Sequence, residues 1–141
     1  MAEKGKEKLL GVDYGETNTG LAFGRAGLAS PLEVLNSKDT YTLITEINKI
    51  VAQNKLDKIV VGLPVDSDGK ETRQSLKVRQ FVKSLRARSR RPVELVSEYG
   101  TTKASIENAI KSGISQKRRR SNDHFSAALI LKRYYAENES S

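Results

Sequence analysis

The chain has 141 residues, 37% of them hydrophobic and 30% charged, which is enough for one domain with a single core. It contains no cysteine and a single histidine, His124, which excludes disulfide scaffolds, zinc–cysteine sites and multi-histidine metal sites. Any bound metal must therefore be held by oxygen ligands, which favours Mg²⁺, Mn²⁺ or Ca²⁺. No apolar run approaches the roughly 20 residues of a membrane span, and residues 1–8 lack the apolar stretch of a secretory signal.

The net charge of +8 is unevenly distributed along the chain. Residues 1–69 carry 8 basic and 10 acidic side chains, whereas residues 70–120 carry 15 basic and 4 acidic ones. The basic part includes Arg86, Arg88, Arg90, Arg91 and the run Lys117-Arg118-Arg119-Arg120. Basicity concentrated in this way is typical of a surface that binds a polyanion, although a solvated face that only maintains solubility gives the same pattern.

The first part of the chain predicts three short strands, over Leu9–Tyr14, Thr19–Gly24 and Ala29–Leu35. The turn Gly15-Glu16-Thr17-Asn18 joins the first two strands, and a short loop joins the second to the third. Because strands joined by such short loops pair with opposite directions, we expect an antiparallel meander.

The middle of the chain alternates helices with strands. Apolar residues at helical spacing predict amphipathic helices over Thr40–Asn54 and about Glu71–Arg88. Continuous apolar or β-branched runs predict strands over Asp57–Gly62 and Val93–Ser97. Two strands that each follow a helix in this way are expected to be parallel.

The last part of the chain predicts a short helix from Thr101 or Thr102 to about Ser112 and a final helix over Asn122–Glu137. The whole order predicts an α/β fold with a mixed five-stranded sheet, three antiparallel strands followed by two parallel ones, and helices on both faces. We expect a disordered leader at residues 1–8, one domain over residues 9–137 and a frayed tail at residues 138–141.

Three acidic residues are candidates for a shared site. Asp13 and Glu98 end predicted strands, and Asp123 opens the final helix. Acids at strand ends and at a helix start can converge, and a cluster of carboxylates is stable when a hard divalent cation lies inside it. Each acid alone also has a simpler interpretation: a turn residue, a surface acid or a favourable charge at a helix N-terminus.

Four short motifs occur in order along the chain: Gly11-Val12-Asp13-Tyr14-Gly15 with Gly20-Leu21-Ala22, Val60-Val61-Gly62-Leu63-Pro64 with Asp68-Gly69, Glu98 with Thr101-Thr102, and Asp123 with Ala127-Ala128-Leu129-Ile130-Leu131. Together they resemble the motifs of the YqgF family of pre-16S rRNA nucleases, also called Holliday-junction-resolvase-like proteins. The resemblance runs from about Leu9 to Glu137.

The resemblance implies a ribonuclease H-like fold and a metal-dependent nuclease that trims the 5′ end of precursor 16S ribosomal RNA or, by analogy, cuts branched DNA. It implies that Asp13, Glu98 and Asp123 are both the catalytic residues and the ligands of Mg²⁺ or Mn²⁺. The loops that support these acids contain Gly15, Thr17, Thr101 and Thr102. We also expect ribosomal particles as partners, a monomer or weak dimer, and a location in the cytoplasm, or in a plastid or other organelle after removal of a transit peptide.

Two groups of basic residues are candidates for contacts with nucleic acid. Lys117, Arg118, Arg119 and Arg120 lie just before Asp123 and are placed to hold a phosphate beside the acids. Arg73 and Lys77 are candidates for contacts with the backbone further out. Contacts of this kind position a strand without reading its bases, so we expect recognition of shape and phosphate with a steep dependence on salt.

Three alternative functions stay open from the sequence. A Holliday-junction resolvase must make two symmetric cuts and therefore act as a dimer. A catalytically weakened RNA- or ribosome-binding protein is suggested by Ser97, Tyr99 and Gly100, which depart from the family pattern around Glu98. An actin-like ATPase is suggested by the loop after Asp13, but such enzymes enclose nucleotide between two domains and 141 residues leave no room for the second.

Overall fold

In the computed structural model, a five-stranded sheet forms the centre of the fold, in the order β3-β2-β1-β4-β5. The structure describes residues 6–66, 68–98 and 122–139, and in the last segment the side chains of residues 126–138. The elements are β1 (Lys8–Asp13), β2 (Asn18–Arg25), β3 (Leu28–Asn36), α1 (Thr40–Gln53), β4 (Lys58–Leu63), α2 (Arg73–Arg88), β5 (Val93–Ser97) and α3 (Asn122–Glu139).

The sheet is mixed in the predicted way. β2 pairs antiparallel with both β1 and β3. β4 pairs in parallel with β1 and with β5, and the register aligns Val12 with Val61 and Val61 with Leu95. The parallel strands β1, β4 and β5 therefore end together at one edge of the sheet, here called the carboxyl edge, and begin together at the opposite, amino edge. The predicted α/β fold with a mixed five-stranded sheet is confirmed.

Helices α1 and α2 cover one face of the sheet with large aliphatic side chains. Alternation along β1 and β4 directs every second residue toward these helices, where it is buried. An Asp39 side chain caps α1, and Thr72 and Ser75 form a capping box at the start of α2. The core on this face includes Leu10, Val12, Ile59, Val61, Leu43, Ile47, Val78, Phe81 and Leu85.

Helix α3 covers the other face with smaller residues and lies closer to the strands. Ala127 and Ala128 pack there against Leu9 and Val60. A Cβ atom on Gly11 would lie only 2.8 Å from the carbonyl oxygen of Ala127, so glycine is what allows the helix backbone to approach β1. Helices therefore cover both faces, as predicted.

The direction of α3 follows from the strand glycines beneath it. Near its C-terminal end, the Tyr135 hydroxyl oxygen lies 2.9 Å from the Cβ position of Gly24, which is paired with Leu9 at the amino edge. Nearer its N-terminal end, Ala127 lies over Gly11, two residues further along β1. The N-terminus of α3 is therefore directed toward the carboxyl edge.

The element boundaries differ from the predicted ones by a few residues. Lys8 was expected in a disordered leader, but it begins β1, and its backbone N–H donates to Asp57 Oδ2 at 2.9 Å. α3 continues to Glu139, two residues beyond its predicted end, and Asn138 Nδ2 donates to the Tyr134 carbonyl at 2.8 Å. The predicted short helix from residue 101 or 102 to 112 lies outside the described residues. Among the described helices, none has the length and apolar character needed to cross a membrane.

Candidate metal-binding active site

Asp13 ends β1, the central strand of the sheet. It is half-buried and lies level with Gly20 of β2. Because side chains alternate along a strand, Leu9, Gly11 and Asp13 share one face, and Leu9 and Gly11 contact α3. The Asp13 side chain therefore belongs to the face covered by α3, at the carboxyl edge.

The loop after Asp13 is held by contacts on both sides. The Tyr14 ring stacks on Phe81 of α2, with ring centroids 4.3 Å apart and an interplanar angle of 16°. A Cβ atom on Gly15 would lie 2.5 Å from the Asn18 carbonyl oxygen, so only glycine fits this turn. The Thr17 carbonyl accepts a hydrogen bond from the Ser37 backbone at 2.9 Å. Gly15 and the Thr17 carbonyl thus fix the backbone of this loop.

Glu98 follows β5 directly and its carboxyl group reaches over β4. Its backbone N–H donates to the Leu63 carbonyl at 2.9 Å, which extends the pairing of β4 and β5 by one residue. Its Cδ atom lies 2.8 Å from the position that a Cβ atom on Gly62 would occupy. Glycine at position 62 therefore leaves the space in which the Glu98 carboxyl group lies.

Asp13 and Glu98 lie at the same edge and on the same face of the sheet, although their strands are not adjacent. In the sheet, β4 lies between β1 and β5. Gly62 follows Val61 on β4 and lies between the ends of β1 and β5. Because Gly62 has no side chain, nothing on β4 separates the Glu98 carboxyl group from Asp13. This role of Gly62 was missed from the sequence, where its place between an apolar strand and Leu63-Pro64 suggested only a strand end.

A small recess beside Glu98 adds further residues to the site. Its lining includes Ser126, Ile130 and Arg133, which follow one another on one side of α3. Ser126 is buried, and Arg133 Nε donates to Glu137 Oε1 at 3.1 Å. Arg133 was not selected from the sequence. Its spacing of seven residues from Ser126 indicates that both lie on one side of α3, but only the structure shows that this side faces Glu98.

Asp123 is the second residue of α3, one helical turn before Ala127, a spacing of about 5.4 Å along the axis. Because Ala127 lies over Gly11 and the N-terminus of α3 is directed toward the carboxyl edge, the backbone of Asp123 lies on the Asp13 side of Ala127. The N-terminus of a helix carries partial positive charge and favours nearby anions. The backbone thus brings the third predicted acid to the same corner of the fold as Asp13 and Glu98.

The donor groups at this corner suit a hard divalent cation. Within the ranges whose side chains are described, no three acidic or histidine residues form a metal-binding group. Asp13 and Glu98 supply oxygen donors, so a complete site requires a further ligand, and Asp123 is the acidic residue whose backbone is in position. Carboxylate oxygens are the donors that Mg²⁺ and Mn²⁺ prefer, and the residues present therefore fit a divalent metal.

The structure describes only two of the basic residues that were predicted to contact nucleic acid, Arg73 and Lys77. Arg73 is the exposed first residue of α2, and Lys77, one turn later, forms an ion pair with Glu16 of the loop after β1. Both lie near the carboxyl edge but on the α2 side of the sheet, opposite the face that carries the acids. Thr101, Thr102, Lys117, Arg118, Arg119 and Arg120 lie outside the described residues.

Comparisons with known proteins assign the chain to one family. Residues 7–137 match the family model described as "RuvX: Holliday junction resolvase". A protein of Rickettsia canadensis named "Putative pre-16S rRNA nuclease" is 33% identical over 127 residues, covering 88% of this chain and 82% of its own. A protein of the same name from Chromohalobacter salexigens is 33% identical over 141 residues, covering 98% of this chain and 95% of its own.

Among solved structures, Thermus thermophilus RuvC in complex with a Holliday junction substrate superposes with a TM-score of 0.65 at 14% sequence identity, covering 96% of this chain and 97% of that one. This likeness shows a shared ribonuclease H-like fold. The family match covers nearly the whole chain, including both Asp13 and Glu98. The chain belongs to the RuvX (YqgF) family of nucleases.

Proposed function

We propose that this protein is a nuclease that uses Mg²⁺ or Mn²⁺ at Asp13, Glu98 and Asp123 to hydrolyse a phosphodiester bond in precursor 16S-type ribosomal RNA. The observation that carries the proposal is the position of the Glu98 carboxyl group, which lies over Gly62 on the same face and edge as Asp13. The names of the curated relatives support the choice of RNA, and the charge of residues 70–120 suits a polyanionic substrate.

The three acids act as one set of ligands in this proposal. Bound divalent metal supplies a water of lowered pKa and stabilises the leaving oxygen of the phosphodiester. Asp13, at the end of the central strand, would hold the metal together with Glu98 and Asp123. Gly62 leaves the space over β4 in which the Glu98 carboxyl group lies, and the Tyr14–Phe81 stack holds the loop that follows Asp13.

A substrate in the ribosomal RNA precursor implies that the protein meets nascent ribosomal particles, in a bacterial cytoplasm or in an organelle of bacterial origin. Contacts to phosphates from Arg73 and from the 117–120 run would orient the RNA without reading its sequence. These contacts predict that binding weakens steeply as salt rises.

Cleavage of a transcript that carries the 5′ leader of 16S ribosomal RNA tests the proposal. The unchanged protein should cut the leader with Mg²⁺ or Mn²⁺ and not with a chelator present. Asp13→Asn and Glu98→Gln should each lower the rate by about a thousandfold, since losing about 4 kcal/mol of transition-state stabilisation has that effect. The matched control is Glu94→Gln. Like Glu98, Glu94 is a glutamate on the α3 face of the sheet, but it lies near the start of β5, at the amino edge.

Two results would contradict the proposal. One is a leader that stays intact with either metal, although the protein is folded and binds the transcript. The other is an Asp13→Asn variant that cleaves as fast as the control. Binding that ignores the chelator, without cleavage, would instead favour an RNA-binding protein whose catalysis has decayed.

A second candidate function, resolution of Holliday junctions, is favoured by the description of the family model. It requires two active sites related by symmetry, so the protein must be a dimer on the junction. Sedimentation with a four-way DNA junction tests it: two protein chains per junction and paired symmetric nicks support resolution. One chain per junction with single nicks would exclude it.

A further inference from the structure

A groove with a basic lining lies far from the acids, at the amino edge of the sheet. It is formed where α1 and α2 end, and it has a volume of about 640 Å³. Because α1 and α2 both run from the carboxyl edge to the amino edge, this groove is at the opposite end of the sheet from Asp13 and on the opposite face. We call it the basic groove; its lining residues are Asn48, Val51, Ala52, Lys55, Arg88, Ser89, Arg90 and Arg91.

The cations of the basic groove are mostly available for a ligand. Within the described parts of the chain, the side chains of Lys55, Arg90 and Arg91 make no hydrogen bond or ion pair. All three are exposed. On the outer side of α2, Lys77 and Arg79 are paired with glutamates, whereas other exposed basic residues in the described ranges, such as Lys38 and Lys132, are single and are not grouped around a groove. The groove therefore concentrates positive charge that the described protein does not neutralise.

Arg88 is held in place at the side of the groove. Its guanidinium donates to the Tyr41 carbonyl at 3.0 Å and to Thr45 Oγ1 at 2.8 Å. The same group lies 4.0 Å from the centroid of the Tyr41 ring, which is 69% exposed. Tyr41 and Thr45 lie outside the groove lining, so the Arg88 guanidinium joins α2 to α1. The charges available to a ligand are those of Lys55, Arg90 and Arg91.

Lys55 lies in a backbone conformation that usually selects glycine. Its φ is 53°, directly after the residue that caps α1, where the left-handed region favours Gly or Asn. A lysine at this position is therefore disfavoured for folding. Its presence is more readily explained by the side chain that it directs to the groove.

Helix-end electrostatics alone do not account for the groove. Cations near the last turn of a helix offset its partial negative charge, and Arg86 and Arg88 already occupy the last turn of α2. Arg90 and Arg91 lie beyond that turn, where the effect of the helix dipole has faded. A polyanion is the ligand that explains the additional charge.

We propose that the basic groove binds the phosphate backbone of a second segment of the nucleic acid whose cleavage site lies at Asp13 and Glu98. The length of β1 separates the groove from the acids by roughly 17 Å along the sheet. A folded RNA extends over both ends of the protein, whereas a short single strand at the acids does not. The groove would therefore select large, structured substrates. The inference rests on the proposed nucleic-acid substrate but not on its cleavage.

Equilibrium binding without divalent metal tests the groove separately from catalysis. The probes are a folded precursor 16S ribosomal RNA transcript and a single-stranded hexanucleotide. The groove variant carries Lys55→Gln, Arg90→Gln and Arg91→Gln. The matched control carries Arg25→Gln, Lys38→Gln and Lys132→Gln, which remove the same charge from exposed positions outside the groove.

We expect the groove variant to bind the folded transcript roughly tenfold more weakly, with a salt slope lower by about 2 to 3. The control should lose little affinity, and the hexanucleotide should bind both variants alike. Equal loss in the two variants would overturn the inference, as would equal loss for the two probes. The binding and cleavage results can also differ. If both variants bind the transcript as expected but the unchanged protein does not cleave it, the proposed nuclease function is contradicted and the proposed role of the basic groove is supported. If the unchanged protein binds no RNA, both fail.

A single substitution distinguishes binding from folding. Lys55→Gly should raise the midpoint of thermal unfolding or leave it unchanged, because glycine prefers a positive φ, while it weakens binding of the folded transcript. A lysine kept for structural reasons would give the opposite result. Lower stability with unchanged binding would therefore also overturn the inference.

Discussion

The two faces of the sheet differ in the size of the side chains that fill them. The face under α1 and α2 is packed with leucine, isoleucine, valine and phenylalanine, so the helices are held away from the strands by bulky side chains. The face under α3 has alanines on the helix and glycines on the strands, so backbone approaches backbone. The acids Asp13 and Glu98 lie on this second face.

The difference indicates that the two faces have different tasks. Bulky aliphatic packing removes much apolar surface from water and supplies most of the stability. Close packing through glycine and alanine leaves little room for adjustment, which suits the placement of catalytic groups within fractions of an ångström. Substitutions on the α1 and α2 face should therefore change mainly stability, whereas substitutions on the α3 face should also change cleavage or metal binding.

The largest expected effect on stability comes from the bulky face. Ile47→Ala removes a fully buried side chain of α1 and should lower the free energy of unfolding by about 3 kcal/mol. Urea denaturation measures the loss. Metal-dependent cleavage by the remaining folded protein should be unchanged, since Ile47 lies on the face opposite the acids. A loss of cleavage per folded molecule would show that the two faces are not separable.

On the α3 face, Gly11→Ala should lower stability by about 2 kcal/mol. The new Cβ atom would lie 2.8 Å from the Ala127 carbonyl oxygen and 2.7 Å from Leu131 Cγ, and the carbonyl belongs to the helix backbone, so α3 must shift. Because α3 carries Asp123, cleavage should fall as well. Unchanged stability and activity would mean that α3 does not lie as close to β1 as the structure shows.

Gly62→Ala should act mainly on the site. Its new Cβ atom would meet the Glu98 carboxyl carbon, 2.8 Å away, and the buried side chain of Ile130, so some stability should be lost together with the position of Glu98. Displacing the Glu98 carboxyl group should weaken binding of Mn²⁺ about tenfold, or about 1.4 kcal/mol. Isothermal titration with Mn²⁺ measures this. Affinity equal to that of the unchanged protein would remove Glu98 from the ligand set.

The smallest effect concerns the amino-edge end of the α3 face. Lys58 Nζ donates to the Tyr134 hydroxyl at 2.9 Å and lies 3.6 Å from Glu94 and 3.5 Å from Glu7. Burial lowers the pKa of Lys58, but the hydrogen bond with Tyr134 and the two carboxylates outweigh it, so its pKa lies above the usual 10.5. For Tyr134, burial has the opposite effect and raises the pKa of the hydroxyl group above 10.0.

Because both pKa values are higher in the folded protein than in the unfolded chain, the protonated forms of Lys58 and Tyr134 stabilise the fold at neutral pH. This contribution should be lost as the pH rises above their usual pKa values of 10.5 and 10.0. Tyr134→Phe removes the hydrogen bond and should cost about 1 kcal/mol at neutral pH. Unfolding measured from neutral pH to about pH 11 should show a smaller alkaline loss in this variant than in the unchanged protein. Parallel curves would mean that the Lys58–Tyr134 pair does not contribute.

The elements of the α1 and α2 face could be predicted from the sequence because large apolar residues recur at a regular spacing. Leu43, Ile44 and Ile47 in α1 and the run Ile59–Val61 in β4 are visible in that way, and their boundaries were wrong by only one or two residues. Asp13, Glu98 and Asp123 were selected for their places at element ends and by resemblance.

What the sequence could not supply is contact between distant segments. A glycine in a strand has no pattern that reveals which helix lies over it, so the partners of Gly11 and Gly62 were not predicted. The position of β4 between β1 and β5 depends on pairing at long range. The basic groove joins Lys55 to Arg90 and Arg91 because two helices end together, and no local pattern links residues so far apart in the chain.

The central claim is that Asp13, Glu98 and Asp123 hold one divalent site, and a Mn²⁺ titration followed by backbone amide resonances tests it most directly. Paramagnetic broadening should centre on Asp13, Glu98 and the first turn of α3, vanish in Asp13→Asn, and persist in the matched control Glu94→Gln. Broadening that centres elsewhere, or that is the same in Asp13→Asn as in the unchanged protein, would contradict the account.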